Sequence, residues 1–558
     1  MKKRYAIGID FGSLSARAAL FQIEDGKQIG ENVSEYKHGV IEHYLCGDKK
    51  NPLEPGSLIQ HPQDFLDSFK ESVQGLLMQT KVEPEEIAGI GMDATSCTLI
   101  PADENGTPLC FGVAFKDNQY TYFQMWKQHT TQAEADEINE LAHKMGESFV
   151  KQYSGKISCE WAFPKMLHTL RKSPEVYEAA DTFYDLVDWL VLQITGEKML
   201  NCCSAGGAFC WNDKTGFPSS EFLSRLDERF GNAATEKLSS NLKPIDHIAG
   251  YINEKGAELT GLKAGTPVAV GKIDSLAAVC SVGVNSPGKL VFIMGTGAAL
   301  MVLNKEPIYM RGLYGVYYGG AAPDYYVHTA GITGYGDTFD WFIENALPIN
   351  DSIKTKGELH MEISEKAEIL KPGESGLVAI NWWNGDRSPL NDFDLSGVLF
   401  GYTLQTKPEE VYRALLEATA YNVLQLIDNF KENGMQVDEV YAVGGIPKKN
   451  KLLVQIYADI LGIPIIVPDV DNACTLGSGI YAAVAAGKSN GGYDSVEAAI
   501  DAMACKDAIV YSPDTENHAA YIPLYEIYKK LHFLLGEENK GILHQLKRIR
   551  TEKSAKRD

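Results

Sequence analysis

One unit, written twice, constrains this 558-residue chain more than anything else in it: strand, tight turn, strand. The first copy is Tyr5-Ala6-Ile7-Gly8-Ile9-Asp10-Phe11-Gly12-Ser13-Leu14-Ser15-Ala16-Arg17. Tyr5, Ile7 and Ile9 alternate with Ala6, Gly8 and Asp10, the period of two that a sheet imposes, and Ala16 resumes the pattern beyond the turn. The second copy runs Lys289-Leu290-Val291-Phe292-Ile293-Met294, then Gly295-Thr296-Gly297, then Ala298-Ala299-Leu300. Recurrence after roughly a domain's length indicates a duplicated domain, not a solenoid. Each turn offers the same chemistry. Glycine admits close backbone approach, and hydroxyls with successive N–H groups cradle phosphate oxygens. Asp10, at a strand end, can hold Mg²⁺ directly or through water. Two such turns facing across a cleft would grip a polyphosphate from both sides. Read alone, the first is equally a hairpin whose Asp and Ser satisfy their own turn. Asp10-Phe11-Gly12 also imitates the protein-kinase D-F-G, but no H-R-D loop precedes it and it lies at the wrong end of the chain.

The length exceeds one ordinary core, so two large domains are expected. A net charge of −22 argues against nucleic acid or an anionic membrane as partner. It does not bar ATP, because helix N-termini and glycine turns supply local positive potential. No apolar run is long enough to span a bilayer, and Met1-Lys2-Lys3-Arg4 precedes strand residues, not an apolar signal core. The ten cysteines show no C-x-x-C and no metal spacing, which predicts reduced, buried thiols and a cytoplasmic location.

Along the chain, the apolar stripe predicts a helix over 59–79 behind Pro62. Residues 87–93 read as a strand ending on Asp93, and strand ends are where ligands bind in α/β sheets. Residues 120–144 read as a polar helix containing Trp126, 182–195 as an apolar helix, and 204–208 as a loop of small residues. Residues 267–274 form another strand ending on a carboxylate, Asp274, followed by a small-residue helix. Asn285-Ser286-Pro287-Gly288 is the linker candidate. A capping box at Thr406 opens a long helix to Asn433. Strand 439–443 runs into Gly444-Gly445, where a flat base can lie on the backbone with Asn450 at its edge. Helices over 452–461 and 473–486 flank strand 463–467. The tail carries Lys547, Arg548, Arg550, Lys553, Lys556 and Arg557 and reads as a solvated, fraying helix end.

Taken in order, these motifs resemble the FGGY carbohydrate kinases, and within them the L-ribulokinases, from Ile7 to about Gly487. The carrying residues are Asp10-Phe11-Gly12-Ser13, Gly295-Thr296-Gly297, Gly444-Gly445 through Asn450, Asp93 to Thr98, Lys156 to Trp161, and Trp382 to Pro389. The resemblance implies an α/β protein of two actin-like ATPase (ribonuclease H-like) domains around an interdomain cleft. Residues 1–284 would bind sugar, 285–535 nucleotide, and 536–558 form the basic tail. It implies ATP- and Mg²⁺-dependent phosphorylation of the terminal hydroxyl of a ketopentose, L-ribulose to L-ribulose 5-phosphate. Within the class, xylulose, D-ribulose, ribitol or erythritol stand as alternatives; from another class, a non-catalytic sugar or nucleotide sensor on the same fold. The implied partners are a small sugar or polyol and a second copy in a homodimer, with no nucleic acid and no membrane.

The same resemblance implies roles. Asp274 is the general base and Asp10 the Mg²⁺ carboxylate. Gly12, Ser13, Ser15, Arg17, Gly295, Thr296 and Gly297 hold phosphates, and Gly444, Gly445 and Asn450 hold adenosine. Asp93, Ser96, Trp126, Ala208, Thr329 and Asp274 line the sugar pocket. Three of these depart from the ribulokinase pattern, which has alanine, lysine and glutamate where this chain has Ser96, Ala208 and Thr329. Unpaired polar groups in a buried site penalise the wrong hydroxyl pattern, so these changes bear on which sugar fits.

Overall fold

A computed structural model describes residues 4–347 and 354–554. Lys2, Lys3, Lys556 and Arg557 therefore lie outside the described residues. The first hairpin starts a sheet that includes β1 (Tyr5–Phe11), β2 (Ser15–Gln22), β3 (Gln28–Glu35), β4 (Ile87–Ala94) and β5 (Pro267–Ala269), in the order β3-β2-β1-β4-β5, with Ile248–Tyr251 antiparallel at the β5 edge. β1 to β3 are antiparallel, whereas β4 and β5 run parallel to β1, and the short β6 (Lys272–Ile273) continues along the end of β4. The second hairpin starts a sheet with the same plan: β7 (Gly288–Met294), β8 (Ala298–Asn304), β9 (Tyr326–Ile332), β10 (Val437–Val443) and β11 (Ile465–Pro468), ordered β9-β8-β7-β10-β11. Again the first three are antiparallel and the last two parallel to the first. The duplicated order is that of a two-domain actin-like ATPase.

Helices fill both faces. α1 (Pro62–Thr80) buries Phe65, Phe69, Val73 and Leu76 on the outer side of the first sheet. α2 (Asp274–Ser281) follows β6 directly. α3 (Pro408–Glu432) and α4 (Lys451–Leu461) cover the outer side of the second sheet. α5 (Ala473–Ala486) belongs to the second half of the sequence, yet it lies on β1 and β4 of the first sheet and beside α2. Glycine permits this. A Cβ on Gly8 would sit 1.8 Å from the Thr475 carbonyl oxygen, on Gly91 2.2 Å from that of Ser478, and on Gly477 1.9 Å from that of Ala277. The resulting core joins Ala6 and Phe21 of the first sheet to Leu276, Ile480, Val291 and Met301, so the two lobes share one apolar interior.

Several local expectations need correction. Residues 120–144 are not one helix: Phe123–Gln124 is a strand, Trp126 lies in a turn after it, and the helix is Gln132–Met145. Residues 204–208 are not a loop but most of the helix Cys202–Ala208, capped by the Asn201 side chain on the Ser204 N–H. Thr182–Asp185 is a strand and the helix begins at Leu186; a continuous apolar run does not distinguish the two. At the start of α3 it is Glu410, not Glu409, that reaches back, to the Lys407 N–H at 2.7 Å.

The described part of the basic tail is docked at its start, whereas Arg548, Arg550 and Lys553 stay exposed, as expected of a solvated helix end. Its helix, Gly541–Ser554, sets His544 2.9 Å from Asp392 and Lys547 3.1 Å from Asp394. The loop so pinned contains Asp386, 4% exposed, whose carboxylate accepts the Leu390 N–H at 2.6 Å. Burial raises this carboxyl to about 7. The folded state thus holds the proton more tightly than the unfolded chain, and stability falls as pH rises toward and through 7. Asparagine keeps the acceptor and cannot ionise. Asp386→Asn is therefore expected to gain about 2–3 kcal/mol over wild type between pH 5 and pH 8 in urea titrations; a pH-independent difference would refute a strained buried carboxylate here.

Candidate active site

Three carboxylates gather where neighbouring parallel strands end. Asp10 on β1 is in register with Asp93 on β4, Lys272 of β6 is in register with Asp93, and Asp274 opens α2 two residues later. Ligands bind outside such carboxyl ends because side chains and helix N-termini converge there. Asp10 and Asp274 are partly open to solvent, whereas Asp93 is 0% exposed. One Asp93 oxygen accepts the Ser478 hydroxyl of α5 at 2.5 Å, and the other is buried without a donor among the described residues. Burial raises the Asp93 carboxyl well above the usual range, and the charge of Asp10 adds to it. Asp10 is also raised by burial, against the opposing pull of Asp93 and Arg17. Asp274 accepts the Ser275 N–H at 2.5 Å, and burial, then the Asp10 charge, bring it to about 7. A carboxylate that ionises near neutral pH is suited to accept a proton.

The glycine hairpins are braced from behind. In the first, the Gly12 N–H donates to the Ser15 carbonyl at 3.0 Å, Tyr36 Oη donates to the Gly12 carbonyl at 3.0 Å, and Gln60 Nε2 to the Ser13 carbonyl at 2.9 Å. Trp126 Nε1 donates to Ser13 Oγ at 3.1 Å, so the tryptophan expected beside the sugar fixes a hydroxyl of the turn expected to hold phosphate. In the second hairpin the Tyr335 and Gly336 N–H groups donate to the Thr296 carbonyl at 3.0 and 2.9 Å, leaving Thr296 and Gly297 exposed. Gly444 follows β10 beside this turn with φ of 117°, where a Cβ would lie 2.5 Å from the Met294 carbonyl oxygen. Only glycine serves there. Gly445 is exposed. Asn450 Oδ1 caps α4 by accepting the Leu453 N–H at 3.0 Å, and its amide N–H₂ donates to Tyr412 Oη at 3.4 Å. Arg17 is bound to Asn472 at the start of α5 and lies 3.7 Å from Glu31. Ser15 stays partly exposed at the turn.

The expected sugar positions are more enclosed than open. Ser96 Oγ contacts Cys97 Sγ at 3.0 Å, Ala208 is 0% exposed, and Thr329, 1% exposed, donates to the Gly315 carbonyl at 3.0 Å. One positioning group went unread in the sequence. Lys165 is 0% exposed, and its ammonium donates to the carbonyls of Cys97, Met125 and Gln124 at 2.6, 2.9 and 3.3 Å. It ties together the segments that carry Ser96 and Trp126. A lysine among Phe163, Met166 and Leu167 on an apolar helix face was the available signal. Tyr314, Glu160 and Arg387 also meet beside this pocket.

The oxygen donors of Asp10 and Asp93 are suited to Mg²⁺. Their ligand atoms and the Cys474 sulfur lie within 4.8 Å of one another. The thiol is a poor partner for a hard cation, and burial raises its pKa well above normal. The buried Asp93 oxygen without a donor is consistent with a cation at this place.

Residues 5–281 match the N-terminal domain, and residues 290–486 the C-terminal domain, of the FGGY family of carbohydrate kinases. The chain is 42% identical over 550 residues to a ribulokinase of Geobacillus thermodenitrificans, covering 98% of this chain and 97% of the relative. It is 36% identical to a ribulokinase of Mycolicibacterium smegmatis, covering 96% and 95%. Among solved structures, a gluconate kinase from Lactobacillus acidophilus superposes with a TM-score of 0.80 at 18% identity, over 97% of this chain and all of the other. A Plasmodium falciparum glycerol kinase with ADP superposes at 0.74 and 16% identity, over 95% and 98%.

Proposed function

This chain belongs to the FGGY family of carbohydrate kinases, and on that premise we propose that it moves the γ-phosphoryl group of ATP to the terminal hydroxyl of a ketopentose, L-ribulose first. The observation that carries the reading is the convergence of Asp10, Asp93 and Asp274 on three adjacent parallel strand ends, with a braced glycine hairpin of the same sheet beside them. The relatives named ribulokinase over nearly the full length supply the sugar.

Asp274 receives the proton of the attacking alcohol, in the role its ionisation near neutral pH fits. Ser13 and Thr296, with the N–H groups of their turns, position the β- and γ-phosphates, and Gly444, Gly445 and the Asn450 amide receive the adenosine. Asp10 and Asp93 would hold Mg²⁺, which when bound neutralises phosphate charge. Phosphoryl transfer asks chiefly for positioning and charge neutralisation, so this sparse equipment suffices. Closure of the lobes excludes water from the phosphoryl group.

Ser96, Ala208 and Thr329 favour a second reading within the class. The last two place no charge in the pocket, so a pentulose or alditol of another hydroxyl pattern competes for it. Rates of ADP release with L-ribulose, D-ribulose, D-xylulose, ribitol and erythritol separate the two. L-Ribulose is expected to give the highest kcat/KM; a tenfold preference for another member would transfer the assignment to that sugar, and no sugar-dependent ADP release at all would favour a sensor.

A further inference from the structure

Two segments singled out in the sequence have no part in the reaction just described, and the fold brings them together. Glu160 lies in a turn just before the helix Ala162–Lys172, in the segment between β4 and β5 of the first domain; Arg387 lies between β9 and β10 of the second. Arg387 Nη2 stands 3.6 Å from Glu160 Oε2. Glu160 is 9% exposed, with His129 Nε2 3.1 Å from its other oxygen. Burial raises its pKa, but His129 and Arg387 outweigh that effect and hold it below the usual range, so it is ionised.

Arg387 is held in place by its backbone. The Gly331 N–H donates to Ser388 Oγ at 3.2 Å, Asn422 Nδ2 to the Ser388 carbonyl at 3.1 Å, and Thr333 Oγ1 to the Gly385 carbonyl at 2.9 Å. Its guanidinium packs 5.6 Å from the Tyr314 ring centroid and 5.9 Å from that of Phe393. Among the described residues it donates no hydrogen bond, and its side chain is 28% exposed. Tyr314 is in the field of both Arg387 and Asp274, and its backbone N–H donates to the Thr329 carbonyl at 2.9 Å. A guanidinium with donors unspent, a buried carboxylate and a phenol therefore face one another beside the proposed base. A sugar hydroxyl donates to a carboxylate and accepts from a guanidinium, so this set recognises vicinal hydroxyls.

We infer that Glu160, Arg387 and Tyr314 form a cross-domain clamp that reads the substrate hydroxyls other than the one facing Asp274. The inference rests on the carbohydrate-kinase reading. Because the clamp draws one wall from each lobe, a polyol that bridges it also favours lobe closure.

The test uses the full chain and the sugar that wild type turns over fastest. Glu160→Gln, Arg387→Met and the double variant are expected to raise the sugar KM at least about tenfold, with ATP KM within about twofold and more ATP hydrolysed per sugar phosphorylated. The double variant should be no worse than the worse single, because the two act as a pair. Tyr314→Phe keeps the ring under Arg387 and is expected to raise sugar KM about threefold; it stands in if an Arg387 variant does not fold. Folded variants with an unchanged sugar KM, or with ATP KM rising in step, would overturn the clamp. A wild type that neither phosphorylates any sugar nor gains thermal stability from one would instead overturn the reading beneath it.

Discussion

Asp274→Asn lowers sugar phosphorylation by about 10³-fold while the ATP dissociation constant changes by less than about threefold, the size expected for losing a positioned general base. Asparagine has nearly the same shape and keeps an oxygen for the Ser275 N–H that Asp274 now accepts at 2.5 Å, so the start of α2 survives. What is lost is the ionisable group. Its carboxyl is raised to about 7 by burial first and by the Asp10 charge second. A base must be unprotonated to act, so wild-type kcat/KM for the sugar is present above that pKa and falls tenfold per pH unit beneath it. A cation beside Asp10 offsets part of the repulsion, so the acid limb moves to lower pH as Mg²⁺ is raised. Initial rates across pH at two Mg²⁺ concentrations, with equilibrium ATP binding measured alongside, check both statements. Turnover in Asp274→Asn within tenfold of wild type would remove the residue from its role.

Gly477→Ala is expected to cost about 3 kcal/mol or more and to lower the melting temperature by roughly 6 °C or beyond, at about 2–4 °C per kcal/mol for domains of this size. The added Cβ would lie 1.9 Å from the Ala277 carbonyl oxygen, and that atom belongs to the backbone of α2, which cannot give way cheaply. The seam also holds the proposed site: α2 begins with Asp274, and α5 supplies the Ser478 hydroxyl that binds Asp93. Activity should therefore fall with stability. Gly357→Ala is the control, since its Cβ meets nothing within 4 Å on an exposed helix; it should melt within about 1 °C of wild type or above it. If Gly477→Ala behaves like Gly357→Ala, the close packing of α2 against α5 is wrong.

What could be read in advance follows the range of the interactions. The two hairpins were legible because period-two alternation and a glycine turn are local. Strands ending on Asp93 and Asp274 were legible for the same reason. The docking of α5 on the first sheet was not: glycines at 477 and 479 announce a close neighbour without naming it, and the neighbour lies on β1, β2, β4 and α2. Trp126 was misplaced because a polar run resembles a helix face, whereas its indole N–H is spent on Ser13 over a hundred residues away. Lys165 and Arg387 stand in stretches that the sequence marks, but neither stretch names its partner; only the folded chain brings Arg387 to Glu160 and Lys165 to three carbonyls.

The reaction itself is the decisive measurement. With ATP, Mg²⁺ and L-ribulose, phosphorus-detected NMR should show one ADP formed per sugar consumed, and the new phosphate coupled to a terminal methylene. ADP that accumulates equally without sugar, or a phosphate on any other carbon, would contradict a cleft in which Asp274 accepts the proton of a primary alcohol.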